Sequence, residues 1–185
     1  MSLFICLEGV DAVGKTEICK SLAARLGYQY YKSPGALFAP VRDLVDQDVD
    51  PLTRYFFYRA ATQDDSRCIR QLLQTSGVVC DRYIYSTFAF HGAMDAQVQS
   101  LFELTQLVMP DYTFVLTARE DVRATRLLGR LEMKELEHNL ALQRQADRIF
   151  KTFGHTVVDT SDTTVEEATD AILSHIKQGV DHDVT

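Results

Sequence analysis

The sequence predicts an α/β fold, a three-layer arrangement in which a five-stranded parallel sheet carries helices on both faces, and three observations predict it. Short apolar runs of strand length alternate with longer segments of helical period. Those runs show almost no polar alternation, as parallel strands buried on both faces require. The 185 residues, 46% apolar and 24% charged, contain no linker, low-complexity tract or repeat, so 1–185 reads as a single domain.

The first strand is expected over Leu3 to Leu7, an apolar run that ends at Glu8 and Gly9. A helix follows, marked by Ile18, Leu22, Ala23 and Leu26 on one stripe. Gln29-Tyr30-Tyr31 forms a weaker second strand. The segment Arg54-Tyr55-Phe56-Phe57-Tyr58-Arg59-Ala60 is helical, with Phe56 and Phe57 expected in the core, and precedes a third strand at Val78 to Cys80. A fourth strand spans Thr113 to Leu116. In the next helix Arg119, Arg123, Arg126 and Arg130 recur at spacings of 4, 3 and 4, opposite Ala124, Leu127, Leu128 and Leu131, and Leu128-Gly129-Arg130 closes it. Thr156 to Val158 is the fifth strand, and residues 178–185 carry no apolar pattern and are expected to fray.

Lysine and arginine number 19 against 26 acids, a net charge of -7, which argues against a nucleic-acid partner because affinity for a polyanion rests on clustered cations. A local nest of backbone amides can still hold a small phosphate whatever the global charge. No apolar stretch approaches the ~18 residues of a membrane span. The opening Met1-Ser2-Leu3-Phe4 lacks a basic leader region, so no membrane partner and a cytoplasmic location are expected. Cys6, Cys19, Cys68 and Cys80 have no C-x-x-C spacing and are expected to be reduced, packed thiols. His91, His138, His155, His175 and His182 do not cluster as metal ligands do, and no chemistry is assigned to them.

Gly9-Val10-Asp11-Ala12-Val13-Gly14-Lys15-Thr16 matches G-x-x-x-x-G-K-T in full, after an apolar strand and before a helix. In this phosphate-binding loop the glycines let successive N–H groups converge on phosphate oxygens, and the helix start adds its positive dipole end. All eight residues are therefore expected to hold ATP, with Lys15 bridging its terminal phosphates and the Thr16 hydroxyl offered to Mg2+. The only asparagine is Asn139, so there is no N-K-x-D element to read guanine. Neither a strand ending in paired acids nor an L-S-G-G-Q run is present, which sets aside motor and transporter ATPases. A small kinase remains, an enzyme that positions two substrates and stabilises charge on a transferring phosphoryl group.

The second strong element is Gly77-Val78-Val79-Cys80-Asp81-Arg82-Tyr83, continuing through Ser86, Thr87 and Phe90. Its strand delivers Asp81 and Arg82 to the carboxyl edge, where open α/β sheets bind ligands. With Glu8-Gly9-Val10-Asp11 in the loop, D-R-Y followed by serine three residues after the tyrosine, then Ala89-Phe90, the chain resembles the thymidylate kinase family. Pro110-Asp111 before the fourth strand and Val158-Asp159-Thr160-Ser161 before the last helix extend the resemblance over most of the chain.

The resemblance implies transfer of the ATP γ-phosphoryl group to a deoxypyrimidine monophosphate, dTMP giving dTDP, with small nucleotides as the partners and a homodimer as the assembly. It assigns the acceptor phosphate to Arg82, a planar guanidinium suited to that task, with Asp11 between it and the metal, and Asp81 beside Thr16 as the Mg2+ contacts. A salt bridge from Arg82 to Asp81 is the competing use. Tyr55 is the implied stacking aromatic and Arg59, four residues on, the implied reader of the base; an arginine donates to O4 of thymine, where cytosine presents an amino donor. Core packing competes for Tyr55. Phe90 is implied against the sugar's 2′ carbon, where a ribose hydroxyl would lose water without gaining a partner; core packing competes there too.

Thr87 stands where some members carry an amide, and Ser33-Pro34-Gly35-Ala36 where many read E-P-G-G, with Lys32 in place of a preceding arginine. Ala12 occupies the loop position of a catalytic arginine, so the version with a lid is implied, at about 126–137, with Arg126 and Arg130 as its candidates. A row of solvated arginines is the alternative. Two rival functions stay open: a deoxynucleoside kinase that would need Glu8 as a base to take a proton from a free 5′-hydroxyl, and a nucleotide-binding regulator on the same fold.

Overall fold

The computed structural model describes residues 2–129 and 139–182. Five strands, β1 (Phe4–Glu8), β2 (Gln29–Lys32), β3 (Val78–Asp81), β4 (Tyr112–Thr117) and β5 (Thr156–Asp159), form one sheet in the order β2-β3-β1-β4-β5. Every neighbouring pair is parallel. Among the described residues the α-helices are α1 (Lys15–Leu26), α2 (Arg42–Asp48), α3 (Pro51–Leu72), α4 (Ile84–Met94), α5 (Glu120–Leu128), α6 (Leu140–Thr152) and α7 (Val165–His182). α1 packs on α7 and β3, whereas α4 lies between α3 and α6. This is the fold class the sequence predicts.

Burial follows sheet position. Central β1 is buried at all five positions, and each of Ile5 and Leu7, fully removed from water, contributes about 1.5–3 kcal/mol relative to exposure. The edge strands β2 and β5 are half-exposed, so the expectation of burial on both faces holds only for the interior strands. An edge strand has one neighbour, and its side chains are covered only where a helix reaches them.

Local sequence explains the helix starts. Asp50 caps α3 by accepting from the Leu52 and Thr53 amides, with Pro51 at the first helical position. Asn139 caps α6 by accepting from Leu142 N at 3.0 Å. Thr164 and Glu167 exchange side-chain and backbone bonds at the head of α7, a capping box. That helix runs on to His182 rather than fraying from residue 178. α5 closes at Leu128 with Gly129 as its cap, where the spacing ends it. Phe56, expected in the core, is 55% exposed on α3, because α3 turns Tyr55 inward instead.

The topology places the site. β1 has β3 on one side and β4 on the other, so the chain leaves β1 at the point where strand order reverses, the crevice in which open α/β sheets bind ligands. Leu7 pairs with Asp81 across β1 and β3, and Arg82 N donates to Leu7 O at 3.0 Å. The loop after β1 and the turn after β3 are therefore neighbours.

Candidate functional site

A cavity of about 530 Å³ opens at this crevice. Its floor is the glycine-rich loop. Gly9 has φ +129°, and a Cβ there would meet Leu116 O at 2.3 Å, so strand β4 leaves room for nothing larger. Gly14, φ +90°, caps α1 without any side-chain bond to the first-turn amides. Those N–H groups are the ones a phosphate takes up at a helix N-terminus. Asp11, Ala12, Gly14, Lys15 and Thr16 line the cavity, whereas Gly9, Val10 and Val13 shape the loop from behind, with Val10 and Val13 buried.

Lys15 is buried and its Nζ donates to Val10 O at 2.5 Å. Burial, reinforced by the charge of Arg82, lowers its pKa to about 7. Thr16 Oγ1 donates to Asp81 Oδ2 at 2.6 Å, joining the loop to the end of β3.

Arg82 stands at the centre. Its backbone has φ +71°, a left-handed conformation that a non-glycine residue adopts at a cost and that is concentrated at functional sites. From there Nη1 donates to Gly9 O at 2.8 Å and to Ser86 Oγ at 3.1 Å, and Nη2 pairs with Asp11. The guanidinium carbon lies 5.1 Å from the centre of the Phe90 ring. Its ion pair is thus with Asp11 and not with Asp81. Glu8 fixes the turn from beneath: fully buried, it accepts from Tyr83 N at 3.0 Å and from the Ser86 hydroxyl. Burial raises its pKa, against the pull of those hydrogen bonds and of Arg82.

Past Arg82 the cavity continues between α3 and α4, lined by Tyr58, Thr87, Phe90, His91 and Arg54. Thr87 Oγ1 lies 3.1 Å from Thr62 Oγ1. Tyr58 is bonded to Arg42 and Asp46 of α2, each at 2.9 Å. The structure does not bring Tyr55 and Arg59 here. Tyr55 is 3% exposed and donates to Leu101 O, in the core position that competed for it. Arg59 reaches Gln63 and the Thr105 carbonyl instead of the cavity. Ser33, the departure on the β2 side, donates to buried Asp65 at 2.5 Å, as does Tyr31 at 2.8 Å; helix α3 thus supplies the acid that holds this loop.

His91, given no role from sequence, faces this end. Nδ1 lies 2.5 Å from the Thr87 carbonyl and must therefore carry the proton, which leaves Nε2 a bare acceptor, buried without a partner among the described residues. Arg54 Nε, a donor, is likewise buried and unpartnered there. Burial lowers the His91 pKa from 6.5 to about 4. Between those values the unfolded chain binds the extra proton, so stability falls as pH drops from 6.5 through 4, by up to about 3 kcal/mol. Thermal melts at pH 7 and pH 4.5 check this: His91→Phe is expected to lose less melting temperature on acidification than the parent.

The arginines of α5 divide. Arg119 pairs with Asp162 at 2.5 Å on the surface. Arg123 is buried, its Nε donating to Asp11 O and its Nη2 to Gln143 Oε1. Arg126 donates to Ala12 O, Thr160 Oγ1 and Thr160 O, bracing the loop from outside the cavity. Arg130 and most of the expected lid, 130–137, lie outside the described residues. Gln143 and Arg123 were not marked as site residues by the sequence, since nothing local distinguishes contacts with Asp11 made across 132 and 112 residues.

Residues 7–172 match the family model described as thymidylate kinase. The chain is 26% identical to the probable thymidylate kinase of Methanocaldococcus jannaschii, covering 95% of this chain and 96% of that one. It is 26% identical to the thymidylate kinase of Mycoplasma pneumoniae, covering 85% and 82%. Among solved structures, the thymidylate kinase of Candida albicans superposes with a TM-score of 0.78 at 19% identity, over 98% of this chain and 93% of that one. That of Ehrlichia chaffeensis gives 0.69 at 25% identity, over 95% and 98%.

Proposed function

The chain belongs to the thymidylate kinase family, whose reaction is the ATP-dependent phosphorylation of dTMP to dTDP, and from that premise we propose how its own residues serve the reaction. The amides of the glycine-rich loop hold the ATP phosphates, and Lys15 leaves the Val10 carbonyl to bridge them. Arg82 holds the acceptor phosphate, oriented by Asp11 and by Ser86. An acceptor phosphate oxygen is already anionic and needs no strong base. Glu8 supports that reading: its oxygens are committed to Tyr83 and Ser86, and it does not line the cavity, so no base is offered to a free 5′-hydroxyl.

Thr16 and Asp81 fit Mg2+. They are hard oxygen donors within 2.6 Å of each other at the loop, and Mg2+ is commonly held by one or two protein oxygens together with substrate phosphates. The ion, when bound, neutralises charge on the transferring phosphoryl group.

Tyr58, Thr87 and His91 are proposed to hold the base. An imide edge offers N3–H beside the O4 acceptor, the complement of an acceptor at His91 and a donor at Arg54; cytosine offers the opposite pair. Phe90, under Arg82, is placed for the sugar, where a 2′-hydroxyl pressed on the ring would cost about 1–3 kcal/mol in lost hydration. A cytoplasmic homodimer completes the reading, with exposed Phe56 on α3 offering apolar surface for the contact.

One observation carries the proposal: Arg82, on the strand beside β1, reaches back to both Gly9 and Asp11 of the phosphate loop. An ADP-release assay across dTMP, dUMP, dCMP, purine monophosphates and thymidine tests it. The fastest turnover is expected with dTMP. Faster turnover of thymidine than of dTMP, or silence with every acceptor, would overturn it.

A further inference from the structure

We propose that Gln143 is a positioning residue for the acceptor cradle: by donating to one oxygen of Asp11 it keeps that carboxylate from closing on Arg82 with both oxygens, which leaves guanidinium N–H groups for the acceptor phosphate. The inference rests on the reading of Arg82 as the acceptor-phosphate ligand.

Gln143 is fully buried in the first turn of α6. Its Nε2 donates to Asp11 Oδ2 at 2.7 Å, while its Oε1 accepts from Asp11 N and from Arg123 Nη2, both at 3.1 Å. Arg123 Nε in turn donates to Asp11 O at 2.9 Å. Asp11 is therefore gripped at its amide, its carbonyl and one carboxylate oxygen by α5 and α6, and its other oxygen, Oδ1, faces Arg82 Nη2. An amide side chain is suited to this, because it both donates to a carboxylate and accepts from an amide and a guanidinium.

The arithmetic of donors gives the consequence. A guanidinium has five N–H groups in a planar fork. Arg82 commits both Nη1 protons, to Gly9 O and Ser86 Oγ, and one Nη2 proton to Asp11. The second Nη2 proton and Nε–H are left. Arginine and carboxylate pair most strongly fork to fork, with both oxygens engaged. Were Asp11 Oδ2 released by Gln143, such a pair would consume a remaining donor and set the carboxylate against the incoming phosphate. The resting strength of the pair is thus set from α6, a helix that does not line the cavity.

Two variants of the full chain test this. Gln143→Glu, assayed at pH 9 to ionise its carboxyl, keeps an acceptor for Asp11 N and Arg123 but has no proton to donate to Asp11, and Gln143→Leu removes both functions. If donation is what matters, both raise the KM for dTMP fivefold or more while the KM for ATP changes less than twofold, with melting temperatures reported as the folding control. Gln143→Glu behaving as the parent, or the two KM values rising together, would overturn the inference and leave the kinase reading intact. A parent enzyme that turns over no monophosphate would overturn both. Should Gln143→Leu fail to fold, the near-isosteric Gln143→Glu decides the matter alone.

Discussion

Lys15→Ala is expected to lower turnover with ATP and dTMP about 10²–10³-fold, the loss that follows removal of one preorganised donor aimed at developing charge. Lys15 is buried against the Val10 carbonyl, and burial holds its pKa at about 7. Phosphates entering the loop supply the negative charge that favours the ammonium, so at pH 8 ATP binding draws a proton from solvent. Calorimetry in two buffers of different ionisation enthalpy measures that proton. Uptake should vanish in Lys15→Ala. Near-normal turnover in the variant, or no uptake in the parent, would remove Lys15 from the phosphate site.

Arg82→Ala is expected to reduce kcat/KM for dTMP about 10²-fold or more while leaving the KM for ATP nearly unchanged. Hydrogen bonds to charged groups are worth about 1.5–3 kcal/mol each, and a phosphate held by two of them loses both. Arg82→Lys should recover little, because an ammonium cannot reproduce the planar fork that joins Gly9, Ser86 and Asp11. The left-handed backbone at residue 82 is as unfavourable for alanine as for arginine, so melting temperature serves as the fold control. Equal losses for both substrates would point to a collapsed loop rather than to a missing acceptor ligand.

The parts legible in the sequence are those whose physics is local. Strands over Leu3 to Leu7 and Val78 to Cys80 were readable because a continuous apolar run flanked by turn residues has few other uses, and the structure places β1 and β3 there with ends shifted by a residue. The glycine-rich loop was readable because the G-x-x-x-x-G-K-T pattern is a property of eight consecutive residues. The far end of the cavity was not. Tyr55 and Tyr58 are three apart on one helix, and which of them meets the cavity depends on how α3 is rotated against α4; the structure turns Tyr55 to the Leu101 carbonyl and leaves Tyr58 at the cavity. Likewise the row of arginines on α5 has a clear period, yet only packing against the loop separates the surface pair of Arg119 from the buried brace of Arg123.

By itself the sequence determined the element types, the glycine-rich turn between β1 and α1 and the strand end bearing Asp81 and Arg82, since each depends on residues within a few positions of one another. Strand order was decided only by the tertiary structure. Setting β3 directly beside β1 brings Arg82 to Gly9 and Asp11, more than 70 residues away in the chain, and folding α6 back brings Gln143 to the same carboxylate. No periodicity encodes such contacts, because they arise from how whole elements bury their apolar faces against one another.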